Sequence, residues 1–334
     1  MFFKGEIKAE KNFIVFTAYL TFFPQLLAGP IDRAKNLIPQ LRQKTKFDGF
    51  VVADGLKLIL WGYFLKLVFA DRACIYVDAV YDNIYHHNGT SILLAAFLYS
   101  FQIYCDFAGY SLISIGCAKT MGISVPDNFR RPYFAVSISD LWKRWHISLT
   151  SWFTNYVYFP LGGNRCSRLR NYTNIMIVFL MSGLWHGAAW NFIIWGGIHG
   201  AIQIVEKYLG LAKRQCVNNI ERVVRILLTF TLATFAWIFF RLTSFEEAMY
   251  AISKIFTSYG MPFTSRDATP ALEHCVLALS IIFIKEFTDE YMSGKFSLLY
   301  SKNVVIRYVS FVFLVVLILL LGVFDNSQFI YMQF

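Results

Sequence analysis

Seven stretches of this chain, at about residues 13–31, 51–70, 91–123, 173–205, 223–240, 271–287 and 305–323, are apolar over roughly the length a helix needs to cross a bilayer. Hydrocarbon offers the backbone no hydrogen-bond partners, so segments of this kind fold as helices that satisfy themselves. The two longest, 91–123 and 173–205, contain internal glycines: Gly109 and Gly116 in the first, Gly183, Gly187, Gly196 and Gly197 in the second. Each of these two predicts a broken helix or a tight helical pair, giving about seven to ten spans in all. Lys57 and Lys66 mark 51–70 as partly interfacial. Only 16% of the 334 residues are charged while 57% are apolar, against about a quarter charged in soluble domains. The expected fold is therefore all-α: a polytopic membrane protein with added re-entrant or interfacial helices. With no internal repeat or low-complexity linker evident, 1–334 reads as a single membrane domain.

The formal charge of +10 does not indicate nucleic acid, because the basic residues are scattered in short clusters between apolar runs. Arg130-Arg131, Lys143-Arg144 and Arg165/Arg168/Arg170 fall within the polar segment 124–172; Lys207/Lys213/Arg214 and Arg222/Arg225 follow His199. Under the positive-inside rule both connections are cytoplasmic. The six cysteines show neither CxxC nor metal-ligand spacing, so no disulfide and no metal is expected. The N-terminus lacks the pattern of a cleaved signal peptide.

Segment 137–164, SISDLWKRWHISLTSWFTNYVYFPLGGN, repeats apolar residues at three- and four-residue spacing. This is the pattern of an amphipathic helix. Ser139 is read as its cap, Asp140 lies at the positive end of its dipole, and Pro160 with Gly162-Gly163 ends it. Its Trp and Tyr content suits the headgroup region, and His146 falls near its middle. In MSGLWHGAAWNFIIWGGIHG (181–200) two histidines, His186 and His199, share a run without any charge. An ionisable residue in such a setting faces protein or water, and the small residues about His186 leave room for a cavity. His199 reads as a supporting packing residue, and the same ordinary role is the alternative for His146 and His186. A neutral imidazole can take a proton from a hydroxyl and give one to a leaving group. No GxSxG nucleophile elbow accompanies the histidines, so the chemistry they suit is direct acyl transfer from a thioester to a hydroxyl.

Three tracts then carry a resemblance: DNFRRPYFAVSISDLWKRWHISLTSWFTNYVYFPLGGNR, SGLWHGAAWNFIIWGGIHG, and YLTFFPQLLAGPIDRAKNLIPQL with YCDFAGYSLISIGCAKTMG and the terminal FIYMQF. WHIS, PLGGNR and LWHG in this order resemble the membrane-bound O-acyltransferase superfamily, on the bacterial alginate and peptidoglycan O-acetyltransferase branch. The resemblance implies helices around a central tunnel, a cytoplasmic acyl donor and an extracytoplasmic acceptor. It makes His186 the catalytic residue and His146 its partner. It also implies acetyl-CoA as donor substrate with no bound cofactor, an envelope polysaccharide as acceptor, and an SGNH-hydrolase-like extracytoplasmic transferase as a partner in the cell inner membrane. FFPQLLAGPI begins at Phe22, so the N-terminal helices usual in the family are expected to be missing from this chain.

For the donor's phosphates, Lys143, Arg144 and the Gly162-Gly163-Asn164-Arg165 loop supply charge and exposed amides; a helix terminator with positive-inside charge is the alternative for the loop. Two other function classes stand beside acyl transfer. A transporter or channel would line a polar path with His186 and carry several embedded charges, of which Asp106 is the clearest. A non-catalytic scaffold of an envelope-modifying complex would not depend on His186.

Overall fold

Asn88 starts the longest element of the chain by accepting a hydrogen bond from the Ser91 amide, and helix α5 (Gly89–Thr120) then runs 32 residues without a break. The computed structural model describes residues 9–212, 214–292 and 298–324, and within them the chain is helical with no strand. The terminal FIYMQF lies outside the described residues. Short polar caps begin most of the other helices: Asn12 for α1 (Phe13–Leu20), Asp48 for α3 (Gly49–Tyr63), Ser167 for α8 (Arg168–His186) and Asn218 for α10 (Asn219–Arg241). Ser244 and Glu247 form a reciprocal capping box on α11 (Phe245–Thr257). Short helices α2 (Ala34–Arg42), α4 (Asp71–Tyr81), α6 (Ile138–Arg144) and α7 (Ile147–Phe153) link these to α9 (Trp190–Tyr208), α12 (Ala268–Tyr291) and α13 (Val304–Leu321). Four helices, α5, α10, α12 and α13, are long and apolar enough to span a membrane, and burial falls along that series from 78% in α5 to 11% in α13. The most buried of them is the axis around which α3, α4, α10 and α11 pack.

The glycines of α5 do not break it, contrary to the sequence reading of 91–123; they let α3 approach it. Gly62 and Gly109 face each other, and so do Gly55 and Gly116. A Cβ added at Gly62 would stand 2.6 Å from the Gly109 carbonyl oxygen, and one at Gly116 2.6 Å from that of Gly55. The second long stretch does divide. It forms the antiparallel pair α8 and α9, with 187–189 as the turn.

Residues 64–70 continue α3 as π-helix, a geometry that frees backbone groups. Two groups from the end of the chain meet this region: the Val323 amide donates to Leu67 O (3.0 Å), and Arg72 donates to Leu321 O (2.6 Å). Lys66, expected near an interface, is instead held inside between Asp71 (2.7 Å) and Asp106 (2.6 Å). A lysine there tolerates burial only with such partners.

Segment 137–164 departs most from expectation. Ser137, not Ser139, is the cap, accepting from the Asp140 amide at 3.0 Å. Glu206 of α9 reaches across to accept the Ile138 and Ser139 amides at 2.6 and 2.9 Å, so a second side chain caps the same helix. The helix then stops at Arg144. His146 takes up left-handed backbone (φ 42°, ψ 52°), α7 begins after it, and 154–158 is π-helical. What reads as one amphipathic helix is two short helices hinged at His146.

Gly62→Ala should lower the thermal midpoint in detergent, because overpacking a helix contact costs about 1–3 kcal/mol. Gly197→Ala should raise it slightly. Its added methyl would meet only Leu180 Cδ2, at 3.7 Å, and it gains up to about 1 kcal/mol of helix propensity. A thermal-shift assay on the purified variants that ranked them the other way would contradict the glycine contact between α3 and α5.

Candidate active site

Two close backbone contacts hold the α8–α9 pair. A side chain at Gly183 would overlap the Phe192 carbonyl, and one at Gly196 would overlap that of Phe179. This brings the end of α8, and His186 with it, against α9. The His186 ring lies near-perpendicular to Trp195 of α9 and Phe240 of α10, with centroids 5.2 and 5.1 Å away, and it touches Trp185 at 4.9 Å. Only 6% of the residue is exposed.

His146 reaches the same place from a different part of the chain. Its ring packs edge-on against Phe107 of α5 at 4.6 Å and against Trp185 at 6.3 Å. Trp185 therefore touches both histidines. Asn128 holds the hinge: its main-chain oxygen accepts the Ile147 amide at 2.9 Å, and its side-chain oxygen lies 3.1 Å from His146 Nδ1. Ser148 donates its hydroxyl to that same oxygen at 2.7 Å, and Asn128 Nδ2 donates to Ser111 Oγ at 3.1 Å. Sequence reading passed over Asn128 because a polar residue in a loop between helices carries no periodic signal.

His199 lies apart from this pair in function though not in packing. It is fully buried among Trp142, Phe179, Trp195 and Trp237, and neither ring nitrogen meets a hydrogen-bond partner among the described residues. That is an aromatic box around a packing imidazole, in keeping with the supporting role read from the sequence.

Two cavities lie in this half of the chain, and neither His146 nor His186 lines them. One, of about 620 Å³, runs between α6, α7, α8 and α9, and its lining extends from Lys143 and Lys207 past Trp142 and Phe179 to Ser182, one turn before His186. The second, of about 490 Å³, is lined by Lys143, Arg144, Arg214, Arg222 and Arg225, with Asp140 and Glu290 as its carboxylates. Lys143 and Ala212 line both, so the two voids adjoin. The basic one draws its cations from both of the connections read as cytoplasmic, and so places those connections at one end of the molecule.

The cations of that cavity differ in how they are engaged. Arg144 bridges Asp140 (3.1 Å) and Glu290 (2.9 Å), which Arg131 also holds at 2.6 Å. Arg214 pairs with Glu221 at 3.2 Å, whereas Lys143 is exposed and makes no ion pair among the described residues. The Gly162–Arg165 loop lines neither cavity. Three of its four amides are already used: Gly162 donates to Phe159 O, Gly163 to Tyr158 O and Arg165 to Gly162 O. The Gly163 carbonyl accepts from Asn171 and Asn174. Of the residues expected at the donor, the structure brings Lys143 and Arg144 to a cavity and leaves Gly162, Gly163, Asn164 and Arg165 outside it. Lys66, Asp71 and Asp106, the embedded charges, line neither cavity.

Comparison with known proteins adds the lineage. The description of the MBOAT, membrane-bound O-acyltransferase family matches residues 6–248. The chain is 33% identical over 308 residues to a peptidoglycan O-acetyltransferase of Helicobacter pylori, covering 85% of this chain and 58% of that protein. It is 34% identical over 281 residues to a probable alginate O-acetylase of Pseudomonas syringae, covering 83% and 53%. With a teichoic acid D-alanyltransferase of Bacillus subtilis the identity is 28%, over 66% of this chain and 60% of that protein. The chain thus spans somewhat over half the length of these curated relatives.

His146 lies outside the four spanning helices, and burial, with the His186 ring second, holds its imidazole well below the ordinary value of 6.5. The folded chain therefore keeps this ring neutral at a pH where the unfolded chain has protonated it. Its contribution to stability is complete above about pH 6.5 and is lost as the pH falls from there towards the folded value. The midpoint of thermal unfolding should drop between pH 7 and pH 5, and His146→Gln should flatten that slope. An unchanged slope in the variant would contradict the neutral, buried state.

Proposed function

The chain belongs to the membrane-bound O-acyltransferase family, and from that we propose that it moves an acetyl group from a cytoplasmic thioester to a hydroxyl of a cell-envelope polysaccharide. The observation that carries this reading is the contact of both His146 and His186 with Trp185, with His186 one helical turn beyond Ser182, a lining residue of a mainly apolar cavity. Thioester chemistry needs a neutral base within reach of a hydroxyl and a path that keeps water from the acyl group. A buried imidazole pair among aromatic rings supplies both. The base takes the hydroxyl proton as the oxygen attacks the thioester carbonyl. The carbon–sulfur bond then breaks, and the thiolate leaves with a proton returned by the imidazolium.

The donor is acetyl-CoA in this reading. The basic cavity takes its phosphates at Lys143 and Arg222, while Arg225 is held by the carbonyls of Val136, Leu211 and Arg214, and the narrow pantetheine arm follows the adjoining apolar cavity towards Ser182 and His186. Arg144 has a framing part here, since two carboxylates already engage it. The acceptor is a polysaccharide hydroxyl, reached directly or through an extracytoplasmic SGNH-like transferase, and the membrane is the cell inner membrane. Relatives named for peptidoglycan, alginate and teichoic acid support an envelope polymer as the acceptor class. A transport reading has less support, because the embedded charges are paired with one another and line neither cavity.

In cells lacking their own activity, envelope O-acetylation should fall about 100-fold or more for His186→Ala and for His146→Ala at matched membrane abundance. His199→Leu should stay within about three-fold of wild type, since it removes a polar ring that has no partner to lose. Retained acetylation in His186→Ala would overturn the catalytic assignment and favour a scaffold.

Lys143→Glu should raise the KM for acetyl-CoA in membrane vesicles about ten-fold and leave kcat within about two-fold, because it reverses one charge at the phosphate end alone. An unchanged KM would remove the basic cavity from the donor path.

A further inference from the structure

Left-handed backbone at a non-glycine residue costs about 1–2 kcal/mol, so something must hold His146 in it. Asn128 does this twice over, through its main-chain oxygen to the Ile147 amide and through its side chain to the ring. The side-chain amide can be oriented without ambiguity. The Ser148 backbone N–H, which can only donate, points at the Asn128 side-chain atom nearest His146 at 3.4 Å, and the Ser148 hydroxyl donates to the same atom. That atom is the oxygen. The opposite atom, the nitrogen, donates to Ser111 Oγ. An amide oxygen accepts and cannot donate, so His146 Nδ1 carries the hydrogen and Nε2 carries the lone pair.

We propose that Asn128 is a positioning residue for the transfer reaction: it fixes His146 as the Nδ1–H tautomer and turns Nε2 into the ring's proton acceptor. The other groups placed against the ring are aromatic or turned elsewhere. Helix α5 presents Phe107, and α8 presents Trp185 and, as the one titratable neighbour acting on it, His186. From the flanking loop Asp127 and Arg130 pair with each other at 3.1 Å, and from α6 Arg144 turns to Asp140 and Glu290. The site thus holds a histidine whose orienting partner is a neutral amide. A carboxylate in that place would stabilise the imidazolium; an amide fixes the ring while leaving it neutral. Asn128 itself is 1% exposed, and its four side-chain contacts, to His146, Ser111 and the amide and hydroxyl of Ser148, all belong to this cluster.

The inference rests on the reading of His146 as a reacting group, and two measurements keep the two apart. One is the pH profile of acetyl transfer in membranes. The other is deuterium exchange at the imidazole C2–H of His146, followed by peptide mass spectrometry, whose midpoint reports ring protonation whether or not the protein is active. Asn128→Asp puts an anion on Nδ1–H, so both the C2–H midpoint and the acid limb of the rate profile should move up by about one to three pH units. Asn128→Leu, which has no acceptor, and Asn128→Ser, whose hydroxyl stops one bond short of the present oxygen, should lose about ten-fold or more in kcat with KM nearly unchanged. A merely structural asparagine would shift abundance and thermal midpoint in all three variants without moving either pH midpoint. An unmoved C2–H midpoint in Asn128→Asp, or wild-type kcat in Asn128→Ser, overturns the proposal. If His146→Ala keeps its activity while the Asn128→Asp midpoint still moves, the positioning contact stands and the role of His146 in transfer falls.

Discussion

Backbone-to-backbone approach of helices is the constraint on which this molecule depends. Inside a bilayer, lipid tails are as apolar as leucine, so helices gain little from burying apolar surface against one another; they associate by packing, and small residues permit the closest packing. The chain uses that device at two places for two ends. Gly55 and Gly62 against Gly116 and Gly109 hold α3 onto α5 and fix the scaffold. Gly183 and Gly196 hold α8 onto α9 and fix the reacting end. Move the second contact by a side chain's width and His186 leaves Trp195 and Phe240.

The same economy governs charge. Lys66 inside the bundle bridges Asp71 and Asp106, and nearer the surface the Arg241 guanidinium bridges Asp78 and Asp82. Engaged cations line the basic cavity as well, where Arg144 and Arg214 carry carboxylates, while Lys143 on its rim is unpaired among the described residues. An incoming polyanion meets little desolvation cost there, because the groups it would touch remain hydrated or exposed. Deeper in, the path becomes aromatic and uncharged, which suits a thioester and excludes the free phosphate.

How much of this was legible in the sequence follows the range of the interactions involved. Apolar runs are local, so the helical membrane class, the division of 173–205 and the basic connections at one end could be read directly; the number of spans could not, since 13–31 holds only the eight-residue α1 before it breaks, and four helices among the described residues are long and apolar enough to cross. The glycines of 91–123 were misread because a glycine that breaks a helix and one that admits a neighbour look identical until the neighbour is known. His146 reads as mid-helix because its amphipathic period continues across the hinge; the break is held by Asn128, eighteen positions upstream, and leaves no periodic mark. The phosphate role given to Gly162–Arg165 failed for a related reason. Loop amides look free in a sequence, and here Phe159, Tyr158 and Gly162 carbonyls take three of the four.

Three buried histidines of one chain therefore differ by partner and by access. His199 has aromatic rings on all sides and no hydrogen bond, so a proton has nowhere to come from or go to. His186 ends a helix one turn beyond Ser182, which lines the apolar cavity, and packs against Trp185, Trp195 and Phe240. His146 has a polar partner, Asn128, whose chemistry dictates which nitrogen is protonated. Burial by itself makes an imidazole neutral; only a fixed tautomer makes it directional. Directionality is what a proton relay needs, since the base must present its lone pair to the hydroxyl before the acyl group arrives. The asymmetry between the two histidines at Trp185 is thus built by the hinge at His146, and the hinge exists because one asparagine spends both its backbone and its side chain on it.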